Sequence, residues 1–436
     1  MKTRLSNDFW LFQLGVSLAA LATRSLQITV AWWALSKGES ATLFSLLIAT
    51  AIFVEIYARP LFSSVGDYFS RKGLVLSSLI LGSACAFGFS AIAGLSVFPF
   101  WPATGLLVAV SFAAALREPI VSSILPMLVD RDRVRDAIGV RSTFGAANML
   151  VGAGLGSLVL SVWGVSGAFI FSGTCFSIAS GLVACIGRNT HPLGDLQIKV
   201  RIYLTRWLEF TLQGFSMLWR VRTEFHLASL AMLVDFALYP FFSVLVPMAV
   251  KQTLNGPAWY IGLFDGAFGV GIMAASLFLV KRTNSLIGKL NTVFLGFLLL
   301  GTMLIAFALV RSVVALTVVM WLAGIGLMLI NINTSSLRSL ATPERFRSRM
   351  FAMVVFVSAA LTPVGSVVIG DIADTYGTSY AILAGGLLIT ACAFVVPLIP
   401  NFKNVLSLAD TDTEDYYLKT YPQAFPAFNT SKDENK

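Results

Sequence analysis

Charge is what this sequence has least of. Only 12% of its 436 residues are Asp, Glu, Lys or Arg, against roughly 25% in a typical soluble domain. So few charges cannot cover a water-exposed surface, which excludes a soluble globular protein and leaves lipid as the natural solvent. Histidine is nearly absent: His191 and His226 are the only two, both beside the central loop. No nucleophile, base or metal-ligand set can gather at one membrane depth from such material, so an embedded enzyme or receptor is disfavoured. The four cysteines, Cys85, Cys175, Cys185 and Cys392, sit singly in apolar runs. That excludes a disulfide framework or zinc spacing and reads as buried thiols. No G-x-x-x-x-G-K-[ST] loop is present, which argues against an ATP-driven pump. No small-residue cleavage site follows the first apolar run, Phe9 to Leu35, so it reads as a retained span rather than a signal peptide.

What is present is long apolar runs. Hydrophobic residues make up 57% of the chain, and the mean hydropathy is +0.81. A membrane helix needs about 20 mostly apolar residues. The pattern predicts twelve, over 10–36, 41–65, 73–96, 101–128, 138–163, 166–187, 224–250, 257–280, 287–310, 313–335, 350–371 and 379–399. The expected fold is an all-α membrane protein with twelve transmembrane helices in two six-helix pseudo-repeats. The net charge of +9 has two readings, nucleic-acid binding or the Lys/Arg bias of cytoplasmic loops. The basic residues are scattered in short loops and form no basic domain, which favours the second.

With the N-terminus inside, the cytoplasmic loops hold Arg71-Lys72, Arg131, Arg133, Arg135, Arg188, Lys199, Arg201, Arg206, Arg220, Arg222, Lys281-Arg282, Arg345, Arg347 and Arg349. The outer loops hold Lys37, Lys251 and Arg311. Both termini are therefore expected in the cytoplasm. The chain divides into a bundle over 1–187, a central loop over 188–223, a second bundle over 224–400 and a tail over 401–436. Val200 to Trp219 reads as an amphipathic surface helix. The tail, with Asp410, Asp412, Glu414 and Asp415, reads as disordered. Glu55 precedes Arg71 at the spacing by which Asp265 precedes Lys281, as parallel repeats would give.

The loop after the second span reads Gly66-Asp67-Tyr68-Phe69-Ser70-Arg71-Lys72-Gly73. It resembles the G-x-x-x-D-R-x-G-R-[RK] signature of the major facilitator superfamily at Asp67, Arg71 and Lys72. It departs from that signature at Ser63, Tyr68 and Ser70. Gly152-Ala153-Gly154-Leu155-Gly156-Ser157 resembles the G-P-x-x-G-G exporter motif, with Ala153 for Pro and Ser157 for the last Gly. The stretches Ala115–Pro119, Leu125–Val129, Arg133–Ala137, Pro240–Met248 and Asn255-Gly256 are similar to the macrolide-efflux and enterobactin-exporter branch, over about 9–400. The resemblance implies a secondary active exporter, a proton antiporter in the bacterial inner membrane. It would need no cofactor beyond the proton gradient, and would act as a monomer on a small amphipathic molecule such as a siderophore or antibiotic. It also implies that Asp67, Arg71 and Lys72 gate the inner side and that spans one, four, seven and ten line the cavity. An importer or facilitator of the same fold is the alternative.

Ionisable groups inside spans are costly, so each needs a reason. They are Arg24, Glu55, Arg59, Arg117, Glu118, Asp235 and Asp265; the third, sixth, ninth and twelfth spans carry none. Glu118, beside Pro119, leads the proton-carrier candidates, followed by Asp235, with Glu55 and Asp265 behind them. Asp265 is also a candidate gate. Arg24, Arg117 and Arg59, with Asn331 and Asn333, are the substrate-binding candidates. The arginines alternatively pair with Glu55 or Glu118, and the asparagines alternatively bond between helices. Three embedded arginines favour an anionic or zwitterionic cargo; a cationic, macrolide-like cargo held by a carboxylate is the alternative. Trp32, Trp33, Phe241 and Phe242 are candidates to line an apolar pocket.

Overall fold

The computed structural model describes residues 6–62, 69–129, 133–187, 212–408 and 413–425. Among them every regular element is helical, as a chain without water to satisfy its backbone requires. The passes are α1 (Asn7–Ser36), α2 (Ala41–Phe62), α3 (Arg71–Ile92) and α4 (Phe100–Leu128). The next helix, Val134–Ala184, has 51 residues and unbroken would be about 77 Å long, far beyond a bilayer core. Gly164, at φ 70 and ψ −174, breaks it into α5 (134–163) and α6 (165–184). The second six are α7 (Arg222–Thr253), α8 (Trp259–Ile287), α9 (Lys289–Leu309), α10 (Val313–Ala341), α11 (Glu344–Tyr376) and α12 (Thr378–Leu398). Each expected span has a helix over it. Large apolar side chains such as Trp101, Phe278 and Leu398 point outward, where only lipid suits them.

Proline shapes the helices that matter to the interior. Pro240 and Pro247 lie within α7 and donate no backbone hydrogen bond. The helix widens into π turns at Phe241–Leu245 and Ala249–Thr253. Pro363 similarly coincides with the joint in α11 between Ala360 and Thr362.

Small residues let the helices touch. A Cβ on Gly271 of α8 would lie 2.0 Å from the Trp321 carbonyl oxygen of α10, and one on Gly324 would meet the Phe268 carbonyl at 2.0 Å. Packing this close replaces the hydrophobic driving force that lipid does not supply. Between the halves the main seams are α2 on α11 and α5 on α8. Exchanging the halves maps α2 onto α8 and α11 onto α5, so these two seams are one contact made twice. That is what parallel repeats give.

Part of the tail departs from expectation; 409–412 and 426–436 lie outside the described residues. Residues 401–408 and 413–425 are described and fold back on the second half as α13 (Phe402–Ser407), α14 (Tyr416–Thr420) and a short turn, Pro422–Ala424. Tyr417 is fully buried and its Oη donates to Glu224 Oε1 at 2.9 Å. Arg338 Nε donates to Glu224 Oε2 at 2.8 Å. Tyr421 Oη meets Thr223 Oγ1 at 3.0 Å and accepts from Asn401 Nδ2 at 3.0 Å. Arg220 bonds the Gln423 carbonyl at 2.7 Å, and Phe346 meets Phe425 edge to face. The acidic residues suggested disorder, but the aromatics after them, Tyr416, Tyr417, Tyr421 and Phe425, supply the burial that pays for order. Burial and the Glu224 carboxylate push the Tyr417 phenol well above its ordinary range. Cys185 is exposed at the end of α6, unlike the other three cysteines, because the apolar run outlasts the helix. Of the surface-helix expectation, 200–211 lies outside the described residues; 212–220 is helical with Leu212, Phe215 and Trp219 exposed.

Tyr417→Phe leaves Glu224 Oε1 without its donor inside a buried cluster. The expected cost is about 1–3 kcal/mol of stability, read as a lower thermal midpoint in detergent. Tyr416→Phe, whose hydroxyl has no such role, should leave the midpoint where it is.

Candidate functional site

Twelve passes bring the start of α1 and the end of α12 to one end of the bundle, called here the terminal end; the other is the distal end. Between the halves lies a cavity of about 490 Å³. It is lined from α1 by Ala20 and Arg24, from α5 by Gly145 and Asn148, and from α7 by Asp235, Leu238, Tyr239, Phe242 and Ser243. Asp265 and Phe268 of α8 and Leu327 of α10 complete it. A smaller cavity shares Arg24, Tyr239, Phe242 and Ser243 and reaches Gln27, Glu55 and Ser111. Phe242 and Phe268 make an edge-to-face wall with centroids 4.7 Å apart. The lining is mostly apolar with a few polar groups, the usual make-up of a small-molecule site.

The charged centre is an ion pair between Arg24 of α1 and Asp265 of α8. It joins the two halves. Asp265 is buried, and its Oδ1 has no hydrogen-bond partner among the described residues. The approach of α1 to α5 sets where Arg24 sits. Gly152 faces the Arg24 side chain, and a Cβ on Gly156 would lie 2.7 Å from the Ser25 Cα. The other face of the same motif takes α8: a Cβ on Gly262 would lie 2.1 Å from Ser157 Oγ. The small-residue stretch therefore positions both members of the pair.

Asp235 also faces the cavity. It lies near Ser358 of α11, whose hydroxyl donates to the Val355 carbonyl at 3.1 Å, and has no cationic partner among the described residues. Glu55 lines the smaller cavity and pairs with Arg59 one turn below, as their spacing suggests. Arg117 is buried close to Glu118 and Glu55, and Glu118 also acts on Arg141 of α5. Arg141 bonds the Val121 carbonyl at 2.9 Å. Glu55, Arg59, Arg117 and Glu118 thus form a charge cluster within the first half. Arg59, Arg117 and Glu118 line neither cavity.

The remaining candidates lie elsewhere. Asn333 is buried and accepts from Asn284 Nδ2 of α8 at 2.7 Å, an interhelical tether, while Asn331 is exposed. Lys72 Nζ donates to the carbonyls of Ala184 (2.8 Å) and Ile186 (2.7 Å), and Arg71 reaches Met127 Sδ at 2.9 Å. These bonds pin the start of α3 to its own half; Asp67 lies outside the described residues. Of the aromatic candidates only Phe242 lines the cavity. Trp33 and Phe241 are in the core, and Trp32 lies under Lys251 with the ammonium 5.1 Å from its ring. The sequence offered Glu55 or Glu118 as partners for Arg24, as the alternative to substrate binding; the partner is Asp265. It also missed Asn148 and Tyr239. A lone Asn in an apolar span was a usable signal for the first, whereas Tyr239 had none.

Three comparisons bear on this arrangement. The family model described as Major Facilitator Superfamily matches residues 13–360. Macrolide efflux protein A of Streptococcus pyogenes is 20% identical over 400 residues, 91% of this chain and 97% of that protein. The multi-drug resistance efflux pump PmrA homolog of Lactococcus lactis subsp. lactis is 22% identical over 352 residues, 79% of this chain and 80% of that one. Among solved structures, the nucleoside transporter NupG superposes with a TM-score of 0.70 at 13% identity, covering 90% of this chain and 99% of its own. A POT family transporter in complex with 5-aminolevulinic acid gives 0.70 at 13% identity, covering 91% and 96%. At these identities the structural likeness speaks for the fold.

Removing Arg24 strands a buried carboxylate, so Arg24→Gln should cost about 3–5 kcal/mol; Asp265→Asn leaves a half-buried cation facing the cavity and should cost less. The double substitution should cost clearly less than the sum of the two. A thermal-stability double-mutant cycle checks this, and additive losses would count against the pair.

Proposed function

Because this chain belongs to the major facilitator superfamily, we propose that it is a proton-coupled exporter of amphipathic small molecules. It is a transporter and no enzyme; direction, coupling and cargo are the proposed part. The observation that carries the reading is the cavity itself, an apolar chamber between the halves with one ion pair across it and Asp235 on its wall. The relatives named for macrolide and multidrug efflux support the direction of export. The Lys/Arg bias of the loops supports both termini lying in the cytoplasm of a bacterial cell.

For the cargo, the structure shifts the balance of the argument. Arg24 already faces Asp265, so it is not a spare cation for an anionic substrate. Asp235 has no cation beside it among the described residues. A cationic or zwitterionic amphipath, with Asp235 as its counter-charge and Phe242 and Phe268 as its apolar contact, fits this lining better than a carboxylate siderophore. Proton coupling falls on Asp235 and Asp265, since both face the cavity while Glu118 does not. A proton on Asp265 would dissolve a bond between the halves. A proton on Asp235 would compete with the cargo. Either proton shifts a two-state equilibrium by its different affinity for the two states. No cofactor is needed.

Inside-out vesicles with an imposed proton gradient test this with one macrolide and one carboxylate siderophore. The expected result is gradient-dependent accumulation of the macrolide, falling at least about tenfold in Asp235→Asn, the loss of one charged contact. Equilibration without accumulation would make the protein a facilitator. Siderophore uptake that Arg24→Gln abolishes would restore the anionic cargo.

A further inference from the structure

We propose that Asp374 is a latch that holds the distal end closed by capping a helix of the opposite half. The first N–H groups of α2 have no partner within their own helix. Ser40, just before the helix, accepts from Leu43 N at 3.2 Å. The other two are satisfied from α11. Ala41 N donates to Asp374 Oδ1 at 2.6 Å, and Thr42 N to Oδ2 at 2.7 Å. The Thr42 hydroxyl adds a third bond to Oδ2 at 2.6 Å. A carboxylate is well suited to the positive end of a helix, and capping side chains normally come from the residue before the helix. Here the cap comes from 333 residues away, so it forms only when the halves meet.

The backbone below the latch enforces that condition. One turn down, a Cβ on Gly370 would lie 2.0 Å from Ser45 Oγ. The seam continues to Tyr57 Oη, which donates to the Ala360 carbonyl at 3.1 Å. The pseudo-symmetric seam repeats the device. Trp259 N, at the start of α8, donates to Ser161 Oγ of α5 at 3.0 Å, and Gly262 packs on Ser157 below it. Both helices that begin at this interface are thus capped from the other half, one by a neutral hydroxyl and one by a charged fork. Asp374 is solvent-exposed, so its bonds can be exchanged for water when the end opens.

The inference rests on the rocking of two halves, and on neither the direction nor the cargo proposed above. Opening the distal end must part α2 from α11, so removing the cap favours that state. The test is side-specific labelling of Gln27→Cys, which lines the smaller cavity, in a Cys185→Ser background. A membrane-impermeant maleimide is applied to either face of reconstituted vesicles. Ser96→Cys, on an exposed distal loop, identifies the distal face. Asp374→Ala should speed labelling from the distal face about tenfold and slow it from the terminal face, the reciprocal change a population shift demands. Thr42→Val, which loses one of three bonds, should shift both rates the same way by less. Unchanged rates in both variants, or faster labelling from both faces, would overturn the latch; the second would mean a loosened fold. Distal labelling absent in every form, wild type included, would sink the rocking reading and the latch with it.

Discussion

Arg24 and Asp265 face each other from different halves of a molecule whose solvent is hydrocarbon, and neither could remain charged there alone. That mutual dependence constrains much of the interior. α1 must lie close enough to α5 for Arg24 to reach across, which Gly152 and Gly156 permit. α8 must press on the same stretch of α5 from the other side, which Gly262 permits. A short run of small residues therefore serves two contacts at once. A bulky residue at either glycine would move a charge as well as a helix. The pair is also the place where a rearrangement of the halves is felt first, because parting them separates opposite charges in a low dielectric.

The cavity beside the pair is apolar where helices open and polar where they meet. Proline in α7 and the π turns after it bring Phe242 and Ser243 to the cavity wall. Asp235, one turn before Tyr239 on the same helix, adds a carboxylate with no ion-pair partner among the described residues. By contrast, the first-half cluster of Glu55, Arg59, Arg117 and Glu118 is rich in mutual charge contacts. Such a network mostly stabilises itself. A lone carboxylate on an apolar wall has unused capacity to bind a cation or a proton, and that contrast, rather than the number of charges, separates site from scaffold here.

The helices were legible because lipid imposes a length and an apolarity that few other contexts demand. Even the broken helix was readable as two spans, since Trp163 and Gly164 interrupt the run where a turn must fall. The charge-bearing helices were legible too, because a charge in a span is conspicuous. What was not legible was partnership. Which carboxylate meets Arg24 depends on how two six-helix bundles dock, and sequence spacing reports only contacts within one helix. Residues 413–425 of the tail were misread for a related reason. Their acids are local and visible, whereas the pocket for Tyr417, made by Glu224 and Arg338 from two distant helices, exists only in three dimensions. Asp374 went unremarked because an acid at a helix end is ordinary; the helix it caps is not its own.

The two halves repeat one another in outline and differ in how firmly they are fastened. At the distal end each half offers the start of a helix to the other, and the chain answers one with Ser161 and the other with Asp374. A hydroxyl accepts one bond there; the carboxylate accepts three and carries the charge that a helix N-terminus favours. The stronger fastening therefore lies on the α2–α11 seam. Beside the α5–α8 seam the weaker cap is joined, deeper in, by the Arg24–Asp265 pair between α1 and α8. Each side thus has one fastening by a carboxylate, exposed at Asp374 and buried at Asp265. A proton or a cargo reaching the cavity meets the buried one directly, whereas the exposed one is answerable to the distal solvent. Two fastenings in series along the path of opening, read from different compartments, are a physical basis for coupling the state of the cavity to the state of the distal end.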